Sequence, residues 1–155
     1  MTRVATRAAK PAAAAALIVA EPPAHWQARP LLVVDCSLLA VALFQEDERE
    51  SAEGRMAGRD LQAPTILDYE IVSVALKKGR QKGSSVAQAG MSLYAALSIE
   101  LHAADPDALH ALAQHYELSA YDAAYLWLAA ELKAPLATFD RKLGAAAQRH
   151  LGALE

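Results

Sequence analysis

Leu31-Leu32-Val33-Val34-Asp35-Cys36-Ser37 is a run of four apolar residues, two of them β-branched, that stops on a carboxylate. A continuous apolar run of this length reads as a strand buried on both faces, as in a parallel sheet. Ligands of open α/β sheets sit outside the carboxyl ends of the strands, which is where Asp35 falls. Many strands end on a polar residue, so the weight rests on whether other segments send carboxylates to the same place.

The chain has 155 residues, a length that suits one domain with a substantial core. Hydrophobic residues make up 54% and charged residues 21%, with 15 basic and 18 acidic side chains for a net charge of −3. That balance excludes a globally basic nucleic-acid binder but leaves room for a local basic patch. Cys36 is the single cysteine, so there is no disulfide framework and a reducing, cytoplasmic setting is expected. Next to Asp35 in a buried element, Cys36 reads as a small core residue rather than a nucleophile.

Residues 1–30 read apart from residues 31–155. Arg3, Arg7 and Lys10 precede the first acid, Glu21, and the apolar run Ala12 to Ala20 follows them. A basic start and a short apolar stretch resemble a signal peptide. However, Ala12 to Ala16 make the stretch weakly hydrophobic, and it is too short to span a bilayer. Pro22, Pro23 and Pro30 mark a linker. The expectation is an Ala/Pro-rich extension, disordered or loosely ordered, ahead of one domain over 31–155 and with no membrane span.

Beyond the first strand, Ser37 reads as the cap of a helix from Leu38 to about Gln45. The acidic run Glu46, Asp47, Glu48 and Glu50 lacks an apolar setting and reads as solvated surface. A short helix over Ala52 to Arg59 precedes a strand over Leu61 to Pro64. Thr65 then caps a helix from Ile66 to Lys78, on which Ile66, Glu70, Ser73 and Lys77 share one face. Glu70 sits among Tyr69, Ile71 and Val72. A buried acid needing a partner or cation and an acid on a wet helix face are equally open readings.

Lys77-Lys78-Gly79-Arg80-Gln81-Lys82-Gly83 reads as a basic loop, either a solvated turn or a guide for a phosphate backbone. A helix over Val86 to Ala96 and a strand over Ser98 to Ala103 follow. Asp105-Pro106 opens a helix expected to bury Ala108, Leu109, Leu112, Ala113 and Tyr116. Ser119 to Lys133 is the most hydrophobic helix, and Ser119 with Asp122 fits a capping box, which would by itself explain Asp122. Leu136 to Asp140 is a strand that ends on a carboxylate, with Thr138 and Asp140 on one face. Arg141 to His150 is the last helix. The five histidines, His25, His102, His110, His115 and His150, form no ligand pattern.

The order of elements argues for an α/β sandwich with a parallel sheet. Asp35 and Asp140 end strands, while Glu70 and Asp122 lie early in helices that follow chain reversals. Acids converging without Cys or His ligands suit a hard cation such as Mg2+ or Mn2+. Such an ion would relieve their repulsion, lower the pKa of bound water and neutralise charge on a phosphodiester.

Four blocks carry a resemblance. Val33-Val34-Asp35-Cys36-Ser37, Ala63-Pro64 with Glu70, Ser119 to Tyr125, and Leu136-Ala137-Thr138-Phe139-Asp140 resemble, in order and spacing, the signatures of PIN-domain ribonucleases. The likeness is greatest to the VapC-like toxins of bacterial toxin–antitoxin pairs and runs from about Leu31 to Leu151. It implies a PIN-like three-layer sandwich, a central parallel sheet flanked by helices. It also implies that Asp35, Glu70, Asp122 and Asp140 are metal-binding, catalytic acids, with Ser37 and Thr138 as supporting hydroxyls. Ser73 stands where the family often has asparagine, one turn after the glutamate.

The resemblance further implies a Mg2+- or Mn2+-dependent endoribonuclease acting on single-stranded or loop RNA with metal-activated water. A homodimer and a cognate antitoxin are the partners it implies. Lys77, Lys78, Arg80, Lys82, Arg141 and Lys142 are the candidate RNA contacts. The competing reading is a PIN-fold regulatory or binding module with little or no nuclease activity. It draws on Ser73, on the capping explanation of Asp122 and on the acidic net charge. A flavodoxin-like ligand binder lacks a glycine-rich phosphate loop.

Overall fold

The computed structural model describes residue 20, residues 28–44 and residues 47–154. Most of the N-terminal extension, His25, Gln45 and Glu46 therefore lie outside the described residues. The described elements run β1 (Leu31–Val34), α1 (Cys36–Leu43), α2 (Arg49–Met56), β2 (Asp60–Pro64), α3 (Ile66–Lys82), α4 (Ser84–Ala96), β3 (Ile99–His102), α5 (Pro106–Tyr116), α6 (Ala120–Glu131), β4 (Leu136–Ala137) and α7 (Arg141–Leu151). The four strands form one parallel sheet in the order β3-β2-β1-β4. Helices flank the sheet in an α/β sandwich, as the order of elements anticipates.

β1 occupies an inner position because its side chains leave no polar face. Leu32, Val33 and Val34 are fully buried, and the strand pairs with β2 on one side and β4 on the other. α6 packs on β1, β2 and β4, with α5 and α7 against it, while α1, α3 and α4 pack on one another. Ala123, Ala124, Leu126, Leu128 and Ala129 are all buried, so the most hydrophobic helix of the sequence is the one seated on the sheet. Among the described residues no helix is long and apolar enough to cross a membrane.

Several local expectations are corrected. Asp35, not Ser37, caps α1: its backbone is extended and its carboxylate accepts from the Leu38 N–H. Thr65 is already helical and makes no side-chain cap. The basic loop is not a loop, because α3 continues through Gly79 to Lys82 and breaks at Gly83, whose φ of 100° suits glycine. Gly79 serves packing instead: a Cβ there would lie 3.3 Å from that of Ala87, where α3 and α4 cross closely. α5 fully buries none of its residues, since it forms an outer layer on α6. β4 is only two residues long, and the chain leaves the ladder at Thr138 for reasons that lie in the site.

Candidate functional site

The parallel sheet brings the end of β1 beside the end of β4, so Asp35 and the segment 138–140 are neighbours despite a separation of about a hundred residues. Asp35 is only 4% exposed. Thr138 donates its hydroxyl to Asp35 Oδ2 at 2.6 Å, and the Ser37 hydroxyl lies 2.8 Å from both oxygens. Each hydroxyl accepts in turn from the backbone: Phe139 N–H to Ser37 Oγ, and Asp140 N–H to Thr138 Oγ1, both at 2.9 Å. Two amides of one loop are thus relayed through two hydroxyls onto one carboxylate. This clamp is what draws residues 138–140 out of the strand ladder. With the Leu38 N–H also bound, three donors occupy Asp35, and a carboxylate has about four acceptor sites.

Glu70 lies in the second turn of α3 and is half-buried. Its Oε2 accepts from the Tyr125 hydroxyl at 2.5 Å. Tyr125 is 1% exposed and lies one turn beyond Asp122 on α6. Asp122 itself is half-buried; its N–H donates to Ser119 Oγ and its Oδ2 accepts the Ser119 hydroxyl at 2.9 Å. Asp140 is exposed and caps α7 by accepting from the Leu143 N–H at 2.8 Å. Of the two readings of Glu70, the structure adopts the half-buried acid with a partner, and the partner is a phenol.

The electrostatics tie the four acids to one region. Burial raises the pKa of Asp35 above its ordinary value, the three hydrogen bonds oppose that rise, and the charge of Asp140 adds to it. Burial likewise raises Glu70, against the Tyr125 hydrogen bond, with added repulsion from Asp122 and Asp35. Desolvation outweighs the mutual repulsion of the acids in both shifts. The Cys36 thiol, beside this cluster, is pushed up to about 12, by burial first and then by Glu70 and Asp35. A thiol held protonated in this way is no nucleophile. Among the described residues, no three His, Cys, Asp or Glu side chains are gathered tightly enough to enclose a metal ion. Their charges act on one another pairwise, Asp140 on Asp35 and Asp122 and Asp35 on Glu70.

The remaining site candidates divide. Ser73 is exposed and donates to the Tyr69 carbonyl of its own helix at 3.0 Å, so its hydroxyl is spent away from the acids. Lys77, Lys78, Arg80 and Lys82 occupy the last turns of α3, about 10 to 18 Å further along the helix axis than Glu70. Arg141 and Lys142 directly follow Asp140, and the Lys142 ammonium donates to the Glu117 carbonyl. Tyr125 was overlooked in the sequence as a site residue because it sits in a run of core-forming side chains. The available signal was a hydroxyl at the position one turn after Asp122, where a buried helix has no need of one.

The comparisons with known proteins agree with this architecture. Ribonuclease VapC3 of Pyrobaculum aerophilum is 29% identical over 119 residues, which cover 72% of this chain and 91% of that protein. The crystal structure of PAE2754 from the same organism superposes with a TM-score of 0.58 at 24% identity, over 79% of this chain and 95% of that one. Mycobacterium tuberculosis VapC20, described as a sarcin–ricin loop cleaving toxin, superposes with a TM-score of 0.57 at 14% identity, over 74% of this chain and 94% of the other. These two structures bear on the fold alone. The PIN domain family model matches residues 32–148, from inside β1 to near the end of α7 and across all four acids. The chain therefore belongs to the PIN-domain family.

Proposed function

We propose that this chain is a divalent-cation-dependent endoribonuclease of the VapC kind, the toxin of a toxin–antitoxin pair. The observation that carries the reading is the pairwise electrostatic coupling of desolvated acids near the carboxyl end of the sheet: Asp140 acts on Asp35, and Asp122 and Asp35 act on Glu70. Desolvated carboxylates that repel one another are stable only when protonated or when a positive charge joins them. The donor set is all oxygen, carboxylate and hydroxyl, which suits Mg2+ or Mn2+ rather than a softer ion. Mg2+ retains several waters and is commonly held by only one or two carboxylates, so an open arrangement of pairs fits it without a closed cage. When bound, the ion supplies charge neutralisation for a phosphodiester and an acidified water.

The chain's own residues set the stage for that chemistry. Ser37 and Thr138 fix the direction of Asp35, and Tyr125 fixes Glu70. Asp122 and Asp140 each commit one oxygen to a hydrogen bond at a helix start and keep the other. Arg141 stands next to the acids as a contact for the RNA backbone, while the basic end of α3 reaches RNA only as part of a longer track. The reading includes a cognate antitoxin and a second copy of the chain as protein partners. Tyr69, Val72 and Leu76 form an exposed apolar stripe on α3 that suits such a partner, with Tyr69 73% exposed.

A second reading is a PIN-fold binding module without nuclease activity. It is favoured by the service of Asp140 as a cap, by the pairing of Asp122 with the Ser119 cap of α6, and by the absence, among the described residues, of a gathered triad. Purified protein incubated with single-stranded RNA separates the two. The first expects cleavage with Mg2+ or Mn2+, none with a chelator, and a fall of about 10²–10³-fold in rate for Asp35→Asn. Undiminished cleavage by that variant overturns the assignment of the site. Intact partner binding without any cation affinity supports the module.

A further inference from the structure

Tyr125 is an unusual residue for its place. It is the bulkiest of the fully buried side chains, and its neighbours on α6 are alanine and leucine. A phenylalanine would fill the same volume without the cost of burying a hydroxyl. The hydroxyl makes one hydrogen bond, to Glu70 Oε2, at a length typical of charge-assisted O–H···O− pairs. Glu70 Oε1 has no hydrogen-bond partner among the described residues. Because Tyr125 lies one turn beyond Asp122, a single face of α6 delivers both an acid of the cluster and the clamp on another acid. The bond also spans from α6 to α3, two helices that otherwise meet little.

We infer that Tyr125 is a positioning residue of the acid site, holding Glu70 by one oxygen so that the other stays turned toward the space shared with Asp35 and Asp122. The inference rests on the cation-dependent reading above and names the device that prepares Glu70 for the ion. Partners that orient a metal-ligating side chain commonly matter by 10- to 100-fold in affinity.

The test uses full-length Tyr125→Phe, with Mn2+ affinity measured by calorimetry and RNA cleavage measured alongside. The expected result is a fall in Mn2+ affinity of about 10- to 100-fold and a lower kcat with unchanged KM, while the metal-free melting temperature holds. In a Glu70→Ala background, Tyr125→Phe should add no further loss, because the tyrosine acts through Glu70. Wild-type affinity in Tyr125→Phe, or an equal loss in both backgrounds, overturns the inference. If the wild type cleaves and binds Mn2+ while the variant matches it, only this inference falls. If the wild type does neither, the nuclease reading falls and takes this one with it. Should the variant fail to fold, the Cζ resonance of Tyr125 in the wild type reports the same coupling: a shift on adding Mg2+ supports it, and an unmoved resonance overturns it.

Discussion

The four acids are placed by two different means. Asp35 and Glu70 are held by side chains that arrive from distant segments, Thr138 on one and Tyr125 on the other, and both are desolvated. Asp122 and Asp140 are held locally, by Ser119 three residues before and by the Leu143 amide three residues after. The first pair exists as a site only in the finished fold. The second pair forms as soon as α6 and α7 do. A site built half from each can keep its local half ordered while the distant half depends on packing.

The largest effect should come from neutralising one pair at a time. Asp35→Asn with Glu70→Gln is expected to reduce cleavage by about 10²–10³-fold or more, and Asp122→Asn with Asp140→Asn by less, because the second pair is less desolvated. Equal losses in single-turnover assays would erase the distinction. Next is Thr138→Val, which keeps the shape but removes one of the two donors to Asp35 Oδ2 and the acceptor of the Asp140 N–H. Denaturant melts should show a loss of about 1–3 kcal/mol. No change would mean that the relay is incidental.

The pH dependence sharpens the contrast further. The folded pKa values of Asp35 and Glu70 lie above their ordinary values of 3.8 and 4.5. Well below 3.8 both are protonated in the folded and unfolded chain alike. As pH rises from the ordinary values towards the raised folded ones, the unfolded chain ionises while the native acids still hold their protons, so the native state loses stability, and the loss levels off above the folded values. Metal-free protein should therefore lose stability as pH rises across that window, and added Mg2+ should stabilise it increasingly over the same range. Thermal melts of the Asp35→Asn, Glu70→Gln double variant should lose this slope. Its persistence there would locate the titration elsewhere.

Two smaller effects test the local half. Ser119→Ala removes a cap and should cost about 1 kcal/mol, less than Thr138→Val. Asp140→Asn retains a capping oxygen, so its stability should change by about 0.5 kcal/mol or less while Mn2+ affinity declines. A large loss of stability would show that Asp140 serves chiefly the fold.

Sequence reading succeeded where a rule acts over a few residues. The β1 run, the Asp105-Pro106 start of α5, the Ser119 cap and the alternation of elements follow from side chains seen in their own neighbourhood. It failed where a distant partner decides. Thr138 and Asp140 read as one strand face, but the pull of Asp35 and Ser37 turns that segment into a clamp. Gly79 reads as a turn, but α4 packs so closely that a glycine is suited to the interior of α3. Leu101 follows a strand alternation yet is 37% exposed, because β3 lies at the sheet edge, a position its own residues do not announce.

The sequence by itself determined the α/β class, the order of its elements and the acid that ends β1. Periodicity, capping and apolar run length are short-range properties of a chain. Tertiary structure alone decided that Thr138 closes on Asp35 and that Tyr125 holds Glu70. Those pairings depend on the order of strands in the sheet and on how α6 crosses it, and they join residues whose separation along the chain carries no local signal.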